Sequence, residues 1–290
     1  MSGAGQTPGQ HGFTVTMDGV RLDAAGMLSG FFESISTGRG AEASAQRLMA
    51  EYGTLQNLFE APQEKLRDSC RFLPEYQRET LLRSRPINSK DGLKSTPSQK
   101  LLAELTPANI SAHLQSYFEN ADREKACILC LDERMRAKEF FGIGDGASEC
   151  VQIDLRLIQR HCERTRTRSF ILVHNHLYSD TAFSYADYLT TAMMFFHLAR
   201  EHLVLSDHLL MDGDKVYSLM ENGYMDQLAD QLPAVMKEVR TQTNQPFFKP
   251  RMIAFLPPVS WDELIPPFFR RPDLVDNLNA KKENSKEMAP

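Results

Sequence analysis

The 290-residue chain has no surplus of positive charge. Its 33 Lys and Arg are outnumbered by 38 Asp and Glu, giving a net charge of −5. That balance excludes a protein that coats nucleic acid by charge alone. There is no apolar run of membrane-spanning length, so no transmembrane helix is expected. Five cysteines, Cys70, Cys127, Cys130, Cys150 and Cys162, are an odd number without framework spacing. This argues against a disulfide scaffold, and with no apolar signal-like segment behind the N-terminus a reducing cytoplasm is the expectation. Cys127 and Cys130 form a CxxC, but no second cysteine pair exists to complete a structural zinc site. They lie in the apolar run "ACILCLD", where residues three apart point to opposite faces of a strand, so they read as small buried apolar groups. No internal repeat is visible.

Hydrophobic residues make up 42% of the chain, enough for a proper core. Residues 1–17 are Gly-rich and polar and read as a disordered leader. Residues 18–86 carry apolar residues at helical spacing, punctuated by Gly53, Thr54 and Pro62, and predict a small bundle of four or five short helices. Residues 87–106 mix Pro, Gly, Ser and Lys and read as a linker. From 107 to 224 the period changes. A helix beginning near Thr106 and Pro107 is followed by the apolar strand "KACILCLD", a second strand "RAKEFFGIG", and the Arg-rich helix "DLRLIQRHCERTRT". Then come the strand "SFILVHNH", whose continuous apolar body predicts a central position, the helix "SYADYLTTAMMFFHLAREH", and a strand pair "LVLSDHLLM" and "KVYSLM" turning at Gly213. The order β-β-α-β-α-β-β predicts an α/β sandwich. Residues 225–290 predict one helix or a broken pair, then a Pro-rich tail holding the only tryptophan, Trp261.

The stretch "ILVHNHLYSD" raises the chemical question. On a strand, residues i and i+2 face one side ~6–7 Å apart, so His174 and His176 can aim at one ion while Asn175 points away. Ser184 stands as N-cap of the next helix and Asp187 in its first turn. Two imidazoles and a carboxylate with a fourth position left for water is the arrangement of catalytic zinc. The spacing alone leaves a plainer reading open. Histidine pairs on strands also serve as core or surface residues, and an aspartate in a first helical turn complements the helix dipole. Glu124, between Arg123 and Lys125, reads by itself as a solvated charge. His208, next to Asp207, reads either as a partner near the site or as an ordinary core histidine, and both stay outside the metal set.

His174-x-His176, with Ser184 and Asp187 following at the spacing H-x-H-x7-S-x2-D, resembles the JAMM signature of the JAB/MPN metalloprotease fold. The longer string, from "REKACILCLDERMRAKEFFGIG" through "FILVHNH" to "LSDHLLM", resembles the RadC branch, whose members carry the name of DNA repair proteins. The resemblance implies a JAB/MPN-type, cytidine-deaminase-like α/β sandwich between a small N-terminal helical bundle and a C-terminal extension. It implies one zinc ion per chain, with His174, His176 and Asp187 as ligands, Glu124 as general base, and Ser184 holding or polarising the reacting carbonyl. The reaction it implies is hydrolysis of an amide or isopeptide bond in a peptide or protein that the sequence does not name.

Two departures matter. Leu177, Tyr178 and Ser179 stand where the RadC motif has Pro-Ser-Gly, which removes a fixed φ and a position free to adopt positive φ. The helical segment resembles the helix-hairpin-helix region of RadC proteins, yet "RFLPEYQRETLL" lacks the Gly-rich turn that meets a phosphate. That argues against direct DNA binding there, and Arg78, Arg83 and Arg85 read as a solvated face. The alternative to a hydrolase is a non-catalytic RadC-like scaffold or DNA-associated binding module.

Overall fold

A computed structural model describes residues 14–16, 23–36, 40–86, 108–145, 152–177, 183–213 and 215–243. The expected linker, the loop 178–182, Trp261 and the C-terminal tail lie outside the described residues.

Five helices open the chain: α1 (Ala24–Ile35), α2 (Ala41–Tyr52), α3 (Leu55–Glu60), α4 (Gln63–Ser69) and α5 (Glu75–Arg83). Their ends are set by local chemistry. Asp23 caps α1 by accepting from Gly26 N at 2.8 Å, and Thr54 caps α3 by accepting from Asn57 N at 3.1 Å. Gly53, at φ 77°, ends α2 in a conformation that glycine adopts without strain. The short helix α6 (Ala108–Phe118) then precedes the sheet.

The sheet contains β2 (Lys125–Leu131), β3 (Ala137–Asp145), β5 (Ser169–Asn175), β6 (Val204–Asp212) and β7 (Lys215–Ser218), in the order β3-β2-β5-β6-β7. The central β5 is antiparallel to β2 and parallel to β6. A parallel neighbour requires a crossover, supplied by α8 (Tyr185–Arg200) between β5 and β6. Helix α7 (Leu155–Thr165) buries Leu155, Ile158, Cys162 and Thr165 at helical spacing and leaves Arg156, Arg160 and Arg164 exposed. The described residues close with α9 (Tyr224–Ala229) and α10 (Leu232–Thr243), a broken pair, with Pro233 in the first turn of the second.

Side chains alternate across β5. On one face Ile171 and Val173 join Cys127, Leu129, Leu209 and Met211 in an apolar cluster completed by Ile110 and Leu114 of α6. Phe170, Leu172 and His174 point to the other face, the one α8 crosses over. The CxxC behaves as expected: Cys127 belongs to the apolar cluster, Cys130 does not, and both are buried thiols.

Three features differ from the sequence reading. Residues 14–16, within the expected disordered leader, form β1, which pairs in parallel with β4 (Gln152–Asp154). Thr-Val-Thr is a β-branched triplet suited to a strand, and composition averaged over the leader hides it. The helical segment is also no separate domain. All described residues fall in one compact unit, with α1 lying along α8. Gly30 permits that approach, because a Cβ there would sit 2.6 Å from Met193 Sδ. Finally, Arg85 is not a solvated cation. Its Nε donates to Phe59 O at 2.7 Å and its Nη2 to Ala61 O at 2.6 Å, satisfying carbonyls left over at the end of α3. Arg83 is exposed, as expected.

Candidate metal centre

Strand β5 delivers His174 and, just past its last residue, His176. Ala126 pairs with His174 across the antiparallel β2–β5 ladder, so continuing that register by two residues sets Glu124 opposite His176, on the same face. Lys125 N donates to Asn175 Oδ1 at 2.7 Å and locks this end of the ladder. Asn175, on the opposite face from the histidines, thus does structural work. Glu124 is buried, at 2% exposure, where the sequence alone read it as a solvated charge.

The helix start brings the third ligand candidate. Ser184 Oγ accepts from Asp187 N at 3.1 Å, and Ser184 N donates to Asp187 Oδ2 at 2.6 Å, a reciprocal capping box. The box holds the Asp187 carboxylate against the histidines. His174 Nε2 lies 3.0 Å from His176 Nε2 and 3.5 Å from Asp187 Oδ1, and His176 Nε2 lies 3.3 Å from Asp187 Oδ2. His174 and Asp187 are fully buried.

These residues fit a zinc ion. The two Nε2 atoms are 3.0 Å apart, near the ~3.3 Å between donors around a tetrahedral zinc with bonds of ~2.0–2.1 Å, and one ligand atom from each of the three residues lies within 4.8 Å of the others. The protonation states also suit a cation, which needs neutral imidazole and ionised carboxylate. Burial holds the His174 imidazole well below the usual histidine range. The Ser184 N–H donates to the Asp187 carboxylate, which favours its ionised form. Among the described residues, His174, His176 and Asp187 are the group of three or more potential ligands close enough to share one ion.

Two further residues belong to this network. His208, left outside the metal set by sequence, places Nε2 2.8 Å from His174 Nδ1. Thr191, not singled out by sequence at all, places Oγ1 2.6 Å from His208 Nδ1 and donates to Asp187 O at 2.6 Å. The signal for His208 was strand parity: it pairs with Leu172 across the parallel β5–β6 ladder, on the face of His174. The signal for Thr191 was its place one turn after Asp187. Asp207 serves the backbone instead. Its carboxylate accepts from His208 N at 2.7 Å, Met220 N at 2.9 Å and Ser218 Oγ at 2.6 Å. Burial pushes its pKa up to about 7.

The helical segment reaches the helix start beside the site. Tyr185 stacks on Phe59 of α3 with ring centroids 5.9 Å apart and donates to Glu60 at 2.8 Å.

This α/β architecture, with paired strand histidines and a helix-start aspartate, defines a JAB-type domain. The family profile described as RadC-like JAB domain matches residues 105–224. The chain is similar to a UPF0758 protein of Psychrobacter arcticus, 26% identical over 203 residues, which covers 69% of this chain and 87% of that protein. It is also similar to a UPF0758 protein of Psychromonas ingrahamii, 24% identical, covering 70% and 89%. A third relative, UPF0758 protein Bpet3149 of Bordetella petrii, is 27% identical, covering 65% and 82%. Residues 105–224 thus carry a RadC-like JAB domain, and most of the chain is similar to UPF0758 proteins.

Proposed function

We propose that this chain is a zinc-dependent hydrolase of amide bonds in peptides or proteins, isopeptide bonds included. The observation that carries the reading is the meeting of His174 Nε2, His176 Nε2 and the Asp187 carboxylate at donor-to-donor distances suited to one zinc. Zinc held by such a set supplies an electrophile that acidifies water toward neutral pH and polarises a carbonyl. Glu124 shares the face of the histidines and is buried, so its carboxylate can take a proton from water and return it to the leaving amine. Ser184 Oγ already accepts from Asp187 N, which leaves its O–H to donate to a substrate carbonyl. Four buried thiols, Cys70, Cys127, Cys130 and Cys162, suit a reducing compartment such as the cytoplasm.

Glu124→Gln tests the assignment. The variant is expected to retain one zinc per chain and to lose about 10²–10⁴-fold of the turnover of a fluorogenic peptide library. Unchanged turnover removes Glu124 from the chemistry. A second reading is favoured by Leu177, Tyr178 and Ser179 in place of the motif's Pro-Ser-Gly. In that reading the chain is a RadC-like scaffold, and Glu124→Gln leaves the cellular phenotype intact.

A further inference from the structure

We infer that Thr191 and His208 form a relay that fixes the tautomer of His174 and so presents its Nε2 lone pair to the metal. The inference rests on the zinc reading above and assigns roles to two residues outside the ligand set. Both act through His174 and are positioning residues.

Each hydrogen along these contacts can be assigned in turn. The Thr191 hydroxyl has one hydrogen, and it is used on the backbone carbonyl of Asp187 at 2.6 Å, a group that can only accept. Thr191 Oγ1 therefore meets His208 Nδ1, 2.6 Å away, as an acceptor. The hydrogen between them sits on Nδ1 of His208. A neutral imidazole carries one N–H, so His208 Nε2 holds a lone pair. That lone pair faces His174 Nδ1 at 2.8 Å, and the hydrogen of that contact belongs to His174 Nδ1. His174 Nε2 is left as a lone pair, aimed at His176 and Asp187.

Two observations support the neutral forms that this assignment needs. His174, His208 and Thr191 are all fully buried. Phe183 closes one side, with its ring 5.3 Å from that of His208 and 6.0 Å from that of His174. The relay also starts and ends on the ligand set, since its acceptor is the carbonyl of Asp187. Movement of the helix start that carries the carboxylate is thereby coupled to the imidazole it must meet. Metal-bound histidines ordinarily give their second N–H directly to a carboxylate, carbonyl or water. Here His174 also hydrogen-bonds the backbone of Leu209, and in addition its Nδ1 is linked to the carbonyl of Asp187 through an imidazole and a hydroxyl.

The opposite orientation is a definite alternative. If Thr191 donated to His208, the hydrogens would reverse along the chain and place one on His174 Nε2, which cannot then bind zinc. Long-range ¹H–¹⁵N correlation spectra of zinc-free, full-length wild-type protein distinguish the two. The expected pattern is protonated Nδ1 and unprotonated Nε2 on both His174 and His208. A proton on His174 Nε2 overturns the relay, and this reading needs no variant to fold.

Zinc affinity, measured by competition with a chelating indicator, gives a second test. Thr191→Val keeps the shape of the side chain and removes the hydroxyl. It is expected to weaken zinc binding about 10–100-fold and to mix the tautomers of His174. Thr191→Ser is expected to restore both. Wild-type affinity in a folded Thr191→Val overturns the relay. A wild-type chain that shows the expected tautomers but binds no zinc overturns the hydrolase reading and leaves the relay standing.

Discussion

The two faces of β5 are built by one strand and do opposite things. On the α6 face, Ile171 and Val173 enter an apolar cluster whose stability comes from removing hydrocarbon from water. On the α8 face, His174 is as deeply buried as Val173, yet it meets His176, His208, Asp187 and, through His208, Thr191. Burying so many polar groups is costly, and hydrogen bonding only offsets it. The network is satisfied at its outer edge, where Thr191 reaches the carbonyl of Asp187 and the capping box holds the carboxylate. At its centre it converges two ring nitrogens and an anion on a single point. A core gains nothing from such an arrangement, and a cation does. The comparison teaches that equal burial separates into stability and chemistry according to which side of one strand a residue occupies.

Substitutions can break this contrast in order of size. Asp187→Ala is expected to abolish zinc binding outright, as measured by metal content after dialysis, while the far-ultraviolet circular dichroism stays native. Ile171→Ala, three residues before His174 and so on the opposite face of the strand, should instead cost about 2–5 kcal/mol in urea unfolding. The zinc content of the remaining folded protein should not change. The reverse pattern for these two variants would mean that the faces have been assigned backwards.

A smaller effect concerns His197 in α8. Burial, with help from Arg200, lowers its pKa to about 4. An unfolded histidine titrates at about 6.5. Between those values the unfolded chain binds a proton that the folded chain refuses, so stability is present above about pH 6.5 and falls as pH drops toward 4. His197→Leu should flatten that contribution by about 1–2 kcal/mol between about pH 7 and 5. An identical pH dependence of urea midpoints in wild type and variant would remove His197 as a contributor. The smallest effect is expected for Ser184→Ala, which removes the cap hydroxyl and should lower stability by about 1 kcal/mol. The backbone hydrogen bond from residue 184 to Asp187 remains available, so zinc binding should weaken without being lost.

The elements of the sheet were legible because their apolar runs are long and their turns carry clear signals, as at "SFILVHNH" and the Gly213 turn. His174, His176, Ser184 and Asp187 were legible because strand parity and helix capping are local, and both depend only on spacing. What sequence alone read differently depends on contacts distant in the chain. Glu124 reads as solvated until its antiparallel register against His176 is known. His208 reads equally as a partner near the site or as a core histidine until the parallel ladder sets it on the face of His174. Arg85 reads as a surface cation until α3 turns its last carbonyls toward it. The union of the helical segment with the α/β part is made by pairs far apart in sequence, among them Gly30 with Met193 and Phe31 with Phe196.

The most direct measurement is zinc stoichiometry by elemental mass spectrometry on the full chain, reconstituted with one equivalent of zinc and then dialysed. The account predicts close to one zinc per wild-type chain and per Glu124→Gln chain, and none for Asp187→Ala. Folded wild-type protein that emerges without zinc, or an Asp187→Ala chain that keeps it, would contradict the claim that these three side chains make one metal site.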